Sequence, residues 1–315
     1  MTPDDCQIST GASLGPRLRM GAGVRIGEGV SVDADVDLGA GCVLEAGVSV
    51  GRFALIGEGA VIEAGACIGP HVSIGREARI GPDCSLHSHA VVGAYTSLGV
   101  SCVLHAFSVV GGSAQDRRTA DAEAHTLLVG ARCVFREHTT VSRGTSHGGG
   151  QTRLGDDVLL MAGAHVAHDC ELGDGVTLAN GVSLGGHVHV GRLASFGGHS
   201  AVHQFVRVGE LAFVAANAMV SRDVPPFCLA AGDRARLLGL NVTGLRRLAF
   251  DAVTRAALKR AYGERFRGSP DESAGEPPET SRAALATFHG FFMPSTRGIC
   301  RPRSRGIGVD TPDDA

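Results

Sequence analysis

From Ile8 to Val110 an aliphatic residue or methionine recurs at every sixth position, eighteen times without a miss, as at Ile8, Leu14, Met20, Ile26, Val32 and Leu38. The count resumes at Val129, Phe135 and Val141, then runs from Leu154 to Val220, for thirty-three hexads in all. Two residues before the large side chain there usually stands a small or β-branched one, as at Val24, Cys42, Ala54, Cys84, Ala164 and Cys170, and glycine usually follows the large one. Residues two apart share one face of a strand, so each hexad reads as a short strand with two inward side chains, then a turn. Three such sides close a coil of 18 residues. A period of six matches neither the 3.6-residue helix nor the coiled-coil heptad, and is the signature of a hexapeptide solenoid. The predicted fold is an all-β solenoid, a parallel β-helix of hexapeptide repeats with about eleven coils over residues 1–226.

The repeat breaks twice. Thirteen residues enter between Val110 and Val129, predicting a loop at about 112–128, and seven enter between Val141 and Leu154, predicting a loop at about 143–153. Both must leave the coil, and loops carried by a rigid scaffold are where binding groups concentrate. The repeat ends at Asp223-Val224-Pro225-Pro226, where proline cannot donate to a further ladder. Residues 227–300 read as a mainly helical C-terminal domain, with one amphipathic helix over 244–267, a polar linker SPDESAGEPPET, and a second helix near Ser281 to Phe292. The tail at 301–315 is polar and reads as disordered.

Composition sharpens this picture in three places. An aromatic fraction of 4 % with no tryptophan agrees with a narrow interior that pairs a small side chain with a large one. Nine cysteines form no CxxC pair, and six of them (Cys6, Cys42, Cys84, Cys102, Cys133 and Cys170) fall at the small inward position, which makes them core filler, not nucleophiles. A net charge of -3 supplies no basic footprint for nucleic acid, and with no run of 18 apolar residues and no signal-peptide plan at Met1 to Gly15 the expectation is a cytoplasmic protein without stable membrane insertion.

Candidate chemistry gathers in GAHVAHDC at 163–170, GGHVHV at 185–190 and AVHQF at 201–205; most other histidines lie singly. In an 18-residue coil His168, Gly186 and Gln204 stack in one column and Asp169 and His187 in the next, ~4.8 Å between coils. His168 and Asp169 follow the inward Val166 by two and three positions, which puts them at an outward-facing corner. An imidazole there can act as a general base near neutrality, and the Gly186 N–H one coil along can meet a developing oxyanion. That pairing suits acyl transfer to a hydroxyl. Asp169 can steady His168 only if the corner bends, because adjacent residues on a flat strand point apart.

The strings LLMAGAHVAHDCELG, GGHVHVG, AVHQF, DVPPF, NVTGLRR and STRGI, with FREHTTVSRGT and the Gln115-Asp116 pair, resemble in content and order the acyl carrier protein-dependent UDP-N-acetylglucosamine O-acyltransferases of lipid A synthesis. The likeness spans residues near 50 to 300. It implies a left-handed coil and transfer of a 3-hydroxyacyl chain to the glucosamine 3-hydroxyl of UDP-N-acetylglucosamine. No cofactor and no metal are implied, since the phosphopantetheine thioester of acyl carrier protein is a co-substrate. By resemblance His168 is the base, Asp169 orients it and Gly186 stabilises the oxyanion. Likewise His165, His187, His203 and Gln204 position sugar and acyl groups, Gln115, Asp116 and Arg118 lie near the sugar nucleotide, and Asn241 and Arg247 near the uridine diphosphate. Ala216 aligns with the position whose side chain limits acyl length. The family implies a homotrimer with sites between subunits, and C-terminal basic residues such as Arg246 and Arg247 facing the acidic carrier. The chain departs from the family pattern at Ser142 (commonly histidine), Thr243 (commonly acidic) and Leu248 (commonly arginine), and carries about six more N-terminal hexads.

Three rivals share the repeat: a zinc-dependent, carbonic anhydrase-like trimer that gathers histidines across an interface, a hexapeptide acyltransferase acting on another nucleotide amino sugar, and a catalytically decayed scaffold copy. A bare solenoid has no need of the two insertions or the His168 cluster.

Overall fold

A computed structural model describes residues 5–118, 124–268, 279–293 and 295–303. Thirty-three strands from Gln7–Ile8 to Met219–Val220 wind as eleven coils, and every third strand joins the same parallel sheet. Neighbours along a sheet are 18 residues apart outside the insertions, as in Gln7↔Arg25 and His165↔Ser183. The interior is what the hexads require: Val24 and Ile26, Cys42 and Leu44, Ala164 and Val166 are all buried. Aromatics are scarce in it but not excluded, for Phe135 and Phe196 are fully inside. Cys42, Cys84, Cys102, Cys133 and Cys170 are buried, whereas Cys6 in the first coil is half-exposed. That coil has a neighbour on one side only, which leaves Ile8 and Leu14 at 42 % and 37 % exposure.

Both insertions lengthen the strands that border them, to four residues at Val109–Gly112, Thr126–Val129 and Gln151–Leu154 and to three at Thr140–Ser142. Thr126–Val129 pairs with Thr96–Leu98 on one side and Gln151–Leu154 on the other, so this sheet closes beneath both loops, while in the neighbouring sheet the register shifts between Val110 and Gly112. Histidines read as single in the sequence also find partners through this register. The rings of Phe53, His71, His89, Phe107 and His138 stack along one corner at 4.7–5.5 Å.

The sheet does not stop at the prolines. Val224 bridges Val208, and Cys228–Ala231 adds in parallel to Phe213–Val214 before pairing antiparallel with Arg236–Leu240. The single helix expected over 244–267 is two: α1 (Val242–Arg247) and α2 (Ala252–Arg267). Asp251 separates them because its carboxylate accepts from the Thr254 N–H at 2.6 Å and so starts a new helix. Helix α3 (Glu279–Gly290) packs on α2 through Ala284 and Phe288. The chain then returns to the solenoid end, where the Asp223 N–H donates to the Gly298 carbonyl and the Cys300 N–H to that of Asp223. Arg301 and Arg303 continue this pairing with Leu237, so residues 301–303 of the segment read as disordered are held against the sheet; residues 304–315, and 269–278 of the linker, lie outside the described residues. No helix among the described residues is long and apolar enough to cross a membrane.

Candidate active site

Strand His165–Val166 enters a corner at Ala167–Asp169, with Val166 buried in the core. Asp169 adopts a left-handed φ of 59°, and this bend brings two adjacent side chains together: His168 Nδ1 lies 2.7 Å from Asp169 Oδ2. A non-glycine residue in that conformation costs ~1–2 kcal/mol. The cost is offset locally, since the Asp169 N–H donates to Thr152 Oγ1 at 2.8 Å.

The corner is not the open one that its phase in the repeat implies. Asp169 is 5 % exposed because the loop after Ser142 folds over it. The Thr145 N–H donates to Asp169 Oδ1 at 2.8 Å and the Thr145 hydroxyl to Oδ2 at 2.6 Å. Gly148 lies so close that any Cβ there would collide with the carboxylate. The loop is itself held down, the Gly144 N–H donating to the Thr126 carbonyl and the Gly150 N–H to that of Thr145. Sequence reasoning passes over Thr145, Gly148 and Thr152; the run Gly148-Gly149-Gly150 is the signal that a backbone approaches something closely there.

A carboxylate only accepts, so the His168 ring nitrogen 2.7 Å from Oδ2 is the donor in that bond. His168 therefore carries a proton on Nδ1, and in the neutral ring Nε2 is the acceptor. One coil along, Gly186 abuts this ring: a Cβ at 186 would stand 2.6 Å from His168 Cε1 and 2.8 Å from Nε2. Among the described residues no acceptor takes the Gly186 N–H, whereas the His187 N–H is spent on the His168 carbonyl at 3.0 Å. Gly186→Ala is expected to lower kcat about 100-fold by pushing the imidazole aside, since displacements of about 1 Å cost that much. Steady-state kinetics beside a thermal melt, the latter unchanged, checks it.

His187 meets His168 edge-on at 5.1 Å between ring centroids, and its other neighbour is Phe205, stacked at 4.4 Å. Desolvation lowers the pKa of His187 and of His165, whose Nδ1 lies 2.7 Å from Thr140 Oγ1. Both imidazoles are thereby favoured neutral at pH 7. His203 and Gln204 lie exposed one coil beyond Gly186, on the rim of the same corner. From the first loop Asp116 accepts from the Arg118 N–H at 2.9 Å and from its guanidinium at 2.7 Å. These bonds hold the Asp116 carboxyl well below the usual carboxylate range, and His168 acts in the same direction. Arg118 in turn bears on His187, which brings this loop to the site, with Gln115 exposed beside it.

Ligand atoms of His168, Asp169 and His187 lie within 4.8 Å of one another, the spacing of a metal cluster. The donor set does not fit one well, because Asp169 already accepts from Thr145 twice and from His168. The arrangement is an imidazole held against a carboxylate whose lone pairs are already engaged.

The chain matches two family profiles: one described as UDP N-acetylglucosamine O-acyltransferase, domain 2, over residues 223–300, and one described as bacterial transferase hexapeptide (six repeats) over 53–87 and 151–186. It is 42 % identical over 183 residues to an acyl-[acyl-carrier-protein]–UDP-N-acetylglucosamine O-acyltransferase of Anaeromyxobacter sp. (strain Fw109-5), covering 57 % of this chain and 71 % of that one. A relative of the same description from Neisseria gonorrhoeae is 46 % identical over 191 residues, covering 59 % and 74 %. The solved LpxA structure from Acinetobacter baumannii superposes with a TM-score of 0.72 at 34 % identity, over 79 % of this chain and 98 % of that one. The chain belongs to the UDP-N-acetylglucosamine O-acyltransferase family. It is an acyltransferase.

In this family member not every residue singled out by resemblance converges within one chain. Asn241 caps α1, its Oδ1 accepting from the Gly244 N–H and its Nδ2 donating to the Leu211 carbonyl, both at 3.0 Å. Arg247 is exposed in the last turn of α1. Both lie past the last coil, whereas His165 is three strands back from the end of its sheet, in the order His165, Ser183, Ala201, Met219. Ala216 is exposed at a different corner, the one that follows Phe213–Val214. Of the departures from the family pattern, Ser142 is buried at the root of the second loop, and Thr243 and Leu248 are exposed on α1.

Proposed function

We propose that this acyltransferase moves a 3-hydroxyacyl chain from the phosphopantetheine thiol of acyl carrier protein to the glucosamine 3-hydroxyl of UDP-N-acetylglucosamine, the first step of lipid A synthesis. The observation that carries the reading is the donor-saturated Asp169 carboxylate against His168 Nδ1, which leaves Nε2 to accept a proton. His168 takes the hydroxyl proton as the sugar oxygen bonds to the thioester carbon. The Gly186 N–H meets the oxyanion that forms. On collapse the carbon–sulfur bond breaks, the carbonyl is restored as an ester, and the imidazolium returns its proton to the departing thiolate. Atoms and charge balance without a cofactor, and no metal is needed to generate the nucleophile.

His165, His187, His203, Gln204, Gln115, Asp116 and Arg118 are assigned to this corner on the protomer that carries His168, a reading supported for Asp116, Arg118 and His187 by their electrostatic reach to one another and to His168. Asn241, Arg247 and the chain-length position Ala216 are assigned to sites completed between subunits of a homotrimer, since one chain keeps them apart. A cavity of about 410 Å³ between α1 and α2, lined by Arg255, Lys259 and Arg267, offers cations on the side assigned to the acidic carrier. The reaction is assigned to the cytoplasm, where acyl carrier protein and the sugar nucleotide meet.

A transfer assay with radiolabelled UDP-N-acetylglucosamine and 3-hydroxyacyl carrier proteins of several lengths tests this. The expected product is the 3-O-acylated nucleotide, preferring one length. No product at any length, or activity lost with stoichiometric zinc, overturns it.

A further inference from the structure

We propose that Thr145 is a positioning residue for the catalytic base, acting through Asp169; this rests on the acyl-transfer reading above. The Thr145 side chain is fully buried, as is Thr152, so neither meets substrate directly. The Thr145 hydroxyl donates to Oδ2, the oxygen His168 also uses, and the Thr145 N–H occupies Oδ1. With both oxygens claimed by fixed donors the carboxylate has one orientation, and with it the imidazole. The hydroxyl also draws charge from Oδ2, which tempers how strongly Asp169 holds the imidazolium. Thr145 thus sets both where Nε2 points and how readily it gives its proton to the leaving thiol. The loop that carries it is anchored to Thr126, so the same strap that closes over the corner delivers the hydroxyl.

The groups that bear on this pair are His165 on the strand that leads into it, His187 one coil along, and Asp116 and Arg118 from the first loop. None of them contacts Thr145 through a hydrogen bond, so the hydroxyl's effect passes through Asp169.

The test compares Thr145→Ser, Thr145→Ala and Thr145→Val as intact enzymes. Serine loses a methyl, alanine loses the same methyl and the hydroxyl, and valine keeps the shape without the hydroxyl. Serine is expected to keep the parent kcat within about twofold, while alanine and valine lose on the order of tenfold, the scale of one hydrogen bond to a charged group. KM for the sugar nucleotide stays level. The acid limb of the kcat/KM profile moves to higher pH in alanine and valine only, because the freed oxygen holds the imidazolium more tightly. In protein with 15N-labelled histidine, the Nδ1–H resonance of His168 persists in serine and is displaced in alanine.

Equal kinetics and equal spectra for serine and alanine overturn the proposal, and that pair stands even where valine misfolds. So does an undiminished effect of Thr145→Ala in an Asp169→Asn background, because the threonine would then act by another route. Parent enzyme inactive on the carrier and nucleotide sinks the acyl-transfer reading instead, while the resonance comparison still decides the role of Thr145.

Discussion

His168→Ala is expected to lower kcat by about 10²–10⁴-fold, the range for removing a positioned general base. The imidazole stands alone in this role within the corner: His187 is turned edge-on to it with its own ring face covered by Phe205, and His165 is engaged with Thr140. Of the three rings only that of His168 abuts Gly186, so neither substitutes. The side chain lies at the corner, outside the aliphatic core of the coil, so the variant should fold and melt like the parent. KM for UDP-N-acetylglucosamine should change less than kcat, which separates loss of a base from loss of a binding group. Single-turnover transfer from labelled acyl carrier protein measures the chemical step. A variant that retains the parent rate places the base elsewhere.

The second large effect is expected from Asp169→Asn. An amide presents one acceptor and one donor where the carboxylate presented two acceptors to three donors, from Thr145 N–H, Thr145 hydroxyl and His168 Nδ1–H. If the amide nitrogen faces Oδ2's place, His168 is driven to carry its proton on Nε2, the nitrogen that must accept. The loss in kcat is then about 10²–10⁴-fold with the geometry intact, as a wrong tautomer produces in triad enzymes. If it faces Oδ1's place, the Thr145 N–H is left buried without an acceptor, at about 1–3 kcal/mol. The variant should therefore lose activity and melt earlier, whereas His168→Ala loses activity alone. A calorimetric scan of both variants beside the kinetics checks this contrast. Parent-like turnover by Asp169→Asn would remove the carboxylate from the mechanism.

These expectations depend on features of unequal legibility. The stacking of His168, Gly186 and Gln204 follows from counting 18 residues, and the register His165↔Ser183↔Ala201 reproduces it. The bend at Asp169 is invisible in such a count, because among the described residues left-handed φ recurs at 23 non-glycine positions whose side chains are as different as those of Asp35 and Leu193. The break between α1 and α2 was written as an N-cap aspartate, Asp251, inside a helical pattern, and the apolar period alone runs through it.

By itself the amino-acid sequence determined the parallel solenoid, its interior and the column in which the base sits. A short-range period is repeated thirty-three times, so each hexad makes the same local choice and errors do not accumulate. What only the tertiary structure decided is the state of that base. The Asp169 carboxylate is dry and oriented because a loop 24 residues upstream folds over it and delivers Thr145. That loop has no period to read, and its place depends on backbone bonds to Gly112 and Thr126, across the first insertion. Long-range closure of this kind is paid in chain entropy and recovered only in the assembled coil. The pattern could thus place His168 but not protonate it.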